Sequence, residues 1–246
     1  MHIYDTLIIG SGYFSAGYAL TRGNTVICEE EQICDTHFYL PQRSFRFTPY
    51  EPKTEYGQRL LDIFTELSLF DGGMQNVSGF ESALATFFYR EGVNILLKCR
   101  VIGIIERDGV YDATVQTNAG LSHLYAHRIL DTRGTPTERS FTLLFVSEEI
   151  ERVLPSLAAA FPHATVEPAF YRERYALHIP VTDTDENAIK PLVYQKWKEY
   201  AIPAKILYMA PRFSQRCREN EPCDDAYENA IAALEAGCFY AKEERR

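Results

Sequence analysis

A glycine turn lies near the amino terminus, and an acid follows about twenty positions beyond it. Gly10-Ser11-Gly12-Tyr13-Phe14-Ser15 directly follows a short apolar run, Tyr4 to Ile9. A tight strand-to-helix turn of this kind brings backbone N–H groups against a pyrophosphate, and the helix amino terminus adds the positive end of its dipole. Gly10 permits the turn, Gly12 permits close approach of a phosphate, and Tyr13 opens the predicted helix. Ser15 stands where glycine or alanine normally lets helix and strand pack closely, and it is small enough to fit. Glu29 and Glu30 close the next apolar run, where a carboxylate can accept hydrogen bonds from both ribose hydroxyls. Spacing from Val26 favours Glu30, with Glu29 the rival; the competing reading of either is a solvated strand end.

These residues need a strand, a turn, a helix and a second strand to position them. Tyr4 to Ile9 reads as a strand buried on both faces, Tyr13 to Thr21 as a helix ended by Arg22-Gly23-Asn24, and Thr25 to Cys28 as the second strand. Residues 31–56 are irregular and rich in aromatics, arginine and proline. Helices are predicted over Gly57 to Leu69 and about Ser78 to Glu91, with phenylalanines on one face of the latter. Val93 to Gly120 reads as three strands joined by hairpin turns, and His123 to Leu130 as another ending in Asp131-Thr132-Arg133-Gly134. Strands at Ser140 to Val146 and Ala176 to Val181 suggest a second sheet, Leu192 to Tyr200 a helix, and Asp224 to Lys242 one final helix.

A net charge of −9 argues against nucleic acid or an anionic membrane as partner, since both call for a basic surface. No apolar run is long enough to span a bilayer, and MHIYDTLIIG carries no basic leader, so a signal peptide is not expected. The six cysteines form no CxxC pair, Cys28 and Cys99 fall in strand patterns as buried thiols, and the expected setting is cytoplasmic with reduced thiols. Neither the cysteine nor the histidine spacings suggest a metal site. There is no GxSxG, no HExxH and no P-loop lysine.

The stretch YDTLIIGSGYFSAGYAL…NTVICEE resembles the opening of the glutathione-reductase-like FAD-dependent oxidoreductases. Three later segments are similar to that family in the right order. Gly92 to Ile104 resembles the strand whose backbone meets the adenine, which implies Val101 as the contact position. Gly109 to Gly120 and then Ala126 to Gly134 resemble the family's β-meander and its closing motif, implying Thr132, Arg133 and Gly134 beside the cofactor. Asp224-Asp225 through Gly237 resembles the last flavin-contacting loop and helix, placing Asp225 near the ring.

The resemblance implies an α/β protein with an FAD/NAD(P)-binding Rossmann-like domain, a β-meander and a small α+β substrate domain. The expected division is 1–137 plus 216–246 for the nucleotide domain and 138–215 for the cap. FAD would lie across Gly10, Gly12, Tyr13, Ser15, the acid, Val101, residues 132–134 and Asp225. Arg43 and Arg46, set among aromatics, would meet an anionic or planar small-molecule substrate. The flavin carries such redox chemistry, so no side-chain nucleophile is required. The expected reaction is hydride transfer between a small organic substrate and the flavin. The chain also departs from the family: Ser15 replaces the third glycine, Arg133 a small residue, and Cys34-Asp35-Thr36-His37 the double glycine after the acid. Those departures define the alternative, a cofactor-free relative acting as a binding or assembly partner or as a homo-oligomer; NAD(H) is a third reading, which the meander disfavours.

Overall fold

Thr6 to Ile9 and Thr25 to Cys28 are buried on both faces because each lies between two layers. A computed structural model describes residues 2–30, 49–76, 79–135, 137–182, 185–210, 213–227 and 229–244. In chain order the elements begin with β1 (Ile3–Tyr4), β2 (Thr6–Ile9), α1 (Tyr13–Arg22), β3 (Thr25–Glu29) and α2 (Glu55–Glu66). A two-stranded hairpin follows, β4 (Phe70–Asp71) and β5 (Met74–Gln75), then α3 (Phe80–Glu91), β6 (Ile95–Leu97), β7 (Arg100–Arg107), β8 (Val110–Thr117), β9 (Gly120–Ala126) and β10 (Ile129–Asp131). The remainder is β11 (Glu138–Val146), α4 (Ile150–Ala160), β12 (Thr165–Pro168), β13 (Arg174–Pro180), α5 (Glu186–Glu199), β14 (Lys205–Met209), β15 (Ser214–Arg216), a 3₁₀ turn at Asp224–Ala226 and α6 (Ala230–Glu243).

The central sheet has strand order β10-β2-β3-β6, parallel throughout. Strand alternation sends Leu7, Ile9, Val26 and Cys28 to one face, where they pack on Cys99, Ala113, Val115 and Ala126 of the meander side. Ile8 and Ile27 point the other way, into a core built by α1, α2, α3 and α6. The meander itself is a β1-β9-β8-β7 sheet, antiparallel except for the short β1–β9 pairing. The order is therefore meander, parallel sheet, helices, the layering an α/β nucleotide-binding fold requires.

Residues 138–216 supply a second sheet of five antiparallel strands, order β12-β13-β11-β14 with β15 pairing at the start of β11. Its apolar face (Phe141, Leu143, Phe145, Leu177) packs on α4 and α5 through Val153, Leu157, Val193 and Trp197. Helix α4 and strands β12, β14 and β15 are not expected from the residue patterns. Pro155 lies inside α4, and the edge strands are short, so neither carries a strong periodic signal.

Three boundaries differ from expectation for local reasons. His123 to Leu130 divides: β9 ends in the meander at Ala126, and after two residues β10 begins in the parallel sheet. The final helix begins at Ala230, because Asn229 caps it by accepting from Ala232 N at 2.8 Å, leaving Asp224–Ala226 as a separate turn. Helix α2 starts two residues early, at Glu55, where Thr54 Oγ1 accepts from Gly57 N.

That helix start is held by Glu235, buried in α6, whose Oε1 accepts from Lys53 N and Thr54 N at 2.6 Å each, while Oε2 accepts from Tyr50 at 2.8 Å. Burial, and then the Glu235 carboxylate, pushes the Tyr50 phenol up to about 12. Burial, followed by Cys223 and Asp224, raises Tyr227 to about 12 as well. A phenol whose folded pKa exceeds its unfolded value near 10 stabilises the fold fully below that value. That stabilisation is lost as pH rises toward about 12. Denaturant unfolding across this alkaline window should show a falling stability, and Tyr50→Phe should flatten part of the fall; an unchanged slope in that variant would contradict the Tyr50–Glu235 coupling.

Candidate nucleotide site

The glycine turn lies at the carboxyl ends of β2 and β3, where parallel sheets of this kind place their ligands. Gly10 has φ +95, and a side chain there would be strained as well as 3.0 Å from the Arg133 Cγ. Gly10 N donates to Cys28 O at 3.0 Å, and Thr132 Oγ1 donates to Ile9 O and Gly10 O at 3.1 and 2.9 Å. Thr132 thus fastens the end of β10 to the glycine turn.

Four successive backbone N–H groups converge at the start of α1, and each already has an acceptor from the chain. Ser11 N donates to Glu29 Oε2 at 2.7 Å, as does the Ser11 hydroxyl. Gly12 N donates to Ser15 Oγ at 2.7 Å, and that hydroxyl in turn donates to Gly12 O at 2.9 Å. Tyr13 N and Phe14 N donate to the two carboxylate oxygens of Asp224, at 2.8 and 2.6 Å. Ser15 therefore fits its position by closing a local ring of hydrogen bonds. A Cβ at Gly12 would lie 2.2 Å from Asp224 Oδ2, so glycine there is needed for the carboxylate to reach the helix.

The acid that faces this turn is Glu29. It is buried, whereas Glu30, the residue spacing favours, points outward with about half its side chain exposed and an Arg100 contact of 3.4 Å. The reason is strand alternation combined with the chain's exit from the sheet after Glu29. Arg133 does not reach across the turn: its guanidinium pairs with Asp131 at 2.9 and 2.6 Å, its backbone N–H bonds the same carboxylate, and only its stem lies over Gly10. Burial of Asp131 raises its pKa, but the Arg133 hydrogen bonds outweigh that and hold the carboxyl below its usual range.

Val101 sits half-buried on β7 against the parallel sheet, next to a bulge between Val101 and Gly103. Asp225 is buried beside Asp224 in the 3₁₀ turn, not at the start of α6. Arg43 and Arg46 fall in 31–48, outside the described residues. Asp224 is the site residue that sequence reasoning misassigns. An acid in a supposed first turn suggests stabilisation by the dipole of its own helix, and Asp224 instead caps a helix 210 residues away.

Gly134, with φ +70, brings a further group together: a Cβ there would stand 2.6 Å from both Cys217 Sγ and Cys223 Sγ. Cys217, Glu221 and Cys223 present ligand-type atoms all within 4.8 Å of one another, a grouping that their spacing in the sequence does not suggest. The intervening residues form a turn, with Cys223 N donating to Glu221 O at 2.8 Å, which a linear pattern does not reveal. Cys28 and Cys99 are buried as expected, with sulfurs 3.6 Å apart, and burial pushes both thiols up.

No family model matches the chain, and no curated protein matches it. Among solved structures it is similar to BexE, studied for oxidation during BE-7585A biosynthesis (TM-score 0.59, 16% identity, 98% of this chain and 61% of that one). It is similar also to the p-nitrophenol 4-monooxygenase PnpA from Pseudomonas putida DLL-E4 (0.57, 14%, 98% and 77%). A third is aklavinone-11 hydroxylase, solved with FAD and aklavinone (0.56, 12%, 99% and 63%). The chain has the FAD-binding Rossmann-like α/β fold. It spans about six-tenths of the length of BexE. PnpA is named for monooxygenation, aklavinone-11 hydroxylase for hydroxylation and BexE for oxidation, so they do not single out the glutathione-reductase branch. No helix among the described residues is long and apolar enough to cross a membrane.

Proposed function

We propose that this chain is a flavoprotein of the oxidoreductase kind, holding FAD at the Gly10–Ser15 turn and transferring hydride between a small organic substrate and the flavin. The observation that carries the reading is the behaviour of the turn itself: its helix amino terminus gathers a carboxylate onto two adjacent N–H groups, so it is built to hold an anion. Gly12, Tyr13 and Phe14 would receive the pyrophosphate, Glu29 the ribose, and the Val101 region the adenine. As arranged, however, the donors fit the phosphates only after Asp224 gives up its two N–H groups, since a pyrophosphate would otherwise meet a carboxylate of like charge. FAD, when bound, would supply the redox centre. In this reading residues 138–215 form the cap over it, and Arg43 and Arg46 serve the substrate.

The same carboxylate favours a second reading. If Asp224, Glu29 and Ser15 satisfy the turn permanently, the chain is a cofactor-free relative whose role is binding or assembly. An absorbance spectrum of concentrated protein, before and after excess FAD and removal of the unbound fraction, tests the first reading. Flavin bands that stay with the protein are the expected result. A protein that remains colourless after loading overturns it in favour of the second.

A further inference from the structure

We infer that Cys217, Glu221 and Cys223 form a binding site for a single thiophilic divalent metal ion of the zinc class. The proposal stands on this cluster's own geometry and does not rest on FAD binding. Two thiolates and one carboxylate are a donor set that selects zinc over magnesium or calcium, which take oxygen alone. The ligand atoms already lie within 4.8 Å of one another. Tetrahedral zinc, with Zn–S near 2.3 Å, asks for sulfurs about 3.8 Å apart, so any closure required is no more than about 1 Å.

The surrounding chain supports that geometry. Any residue other than glycine at 134 would drive a side chain between the sulfurs, and the positive φ at that position suits glycine. The seven-residue loop is turned back on itself by Glu221 N to Arg218 O and Cys223 N to Glu221 O, with Asn220 at φ +65. Glu221 Oε2 accepts from Thr135 N at 3.0 Å, which orients the carboxylate from behind, as supporting hydrogen bonds do for metal ligands. Three protein ligands leave the fourth position to water.

Binding by two thiols releases two protons, one from each cysteine, as both sulfurs become thiolates bonded to the ion. The ion would join the 217–223 loop to the end of β10 through Gly134 and Thr135. Asp224 follows Cys223 directly, so metal occupancy would hold Asp224 against the start of α1.

The test uses the full chain, reduced and freed of metal with a chelator that is then removed. Zinc uptake is measured by competition with a chromophoric chelator, and Co²⁺ is added separately for its spectrum. Expected are one tightly held zinc per chain and a thiolate-to-cobalt charge-transfer band in the near ultraviolet. Glu221→Gln should weaken zinc by at least tenfold, and Glu219→Gln, an exposed acid in the same loop, should leave it unchanged. Cys217→Ser and Cys223→Ser should abolish the band; if either fails to fold, the glutamate pair and the wild-type cobalt spectrum still decide. A cobalt spectrum without thiolate charge transfer overturns the site, as does equal weakening by both glutamate variants. So does a protein that forms a Cys217–Cys223 disulfide in air yet takes up no zinc once reduced.

Discussion

Asp224→Ala should lower the melting temperature of the cofactor-free chain by about 4–8 °C and tighten its uptake of FAD about 30-fold. The first effect follows from removing a buried carboxylate that caps α1 through two charge-assisted bonds, 2.8 and 2.6 Å long. Loss of such a cap costs about 2 kcal/mol, and each kcal/mol lowers the midpoint of a chain this size by about 2–4 °C. The second effect is the same free energy read from the other side. An internal anion that stabilises the empty site by about 2 kcal/mol weakens any external anion competing for those N–H groups by the same amount, close to 30-fold. Thermal melts and equilibrium FAD titrations of parent and variant decide it. A variant that melts lower but binds no more FAD than the parent would show that the cradle serves only the chain's own carboxylate. Unchanged melting would mean that Asp224 does not cap α1 at all.

How much of this was legible in the residues depends on the range of each interaction. The β2–α1–β3 unit was readable because its signals are local: an apolar run, a glycine turn, a helix, a second apolar run and an acid, with each boundary within a residue or two. The meander was readable from its hairpin turns, and the buried thiols from their strand setting. Tertiary contacts across long sequence separations were not. Asp224 reaches Tyr13 and Phe14 across the whole chain, Glu235 in α6 anchors the start of α2, and Gly134 seats two cysteines some eighty residues on. Glu29 over Glu30 is a milder miss, since a period of two makes a one-residue error in a strand end reverse the side chain's direction. The packing of α1 is a further case: the sequence draws attention to Ser15, yet the close approach is made two residues later.

That approach sets the largest stability effect expected here, a loss of about 3 kcal/mol in Gly17→Ala, seen as a melting temperature lower by about 6–12 °C. A Cβ on Gly17 would stand 1.9 Å from Leu234 O, and one on Gly237 would stand 2.0 Å from Phe14 O, so α1 and α6 meet backbone to backbone at two reciprocal points. Glycine inside a helix ordinarily costs about 1 kcal/mol relative to alanine, which taken alone would make the change stabilising. Here the obstacle is main chain, which has no rotamer to swing away, so the methyl can be admitted only by parting the helices. Parting them loosens the packing of Phe14, Tyr18, Ala233 and Leu234, all buried at that seam. Gly103→Ala is the matched control: its Cβ would meet nothing within 4 Å, its φ is not positive, and its effect should stay within about 0.5 kcal/mol. A Gly17→Ala protein that melts with the control would refute the close seam.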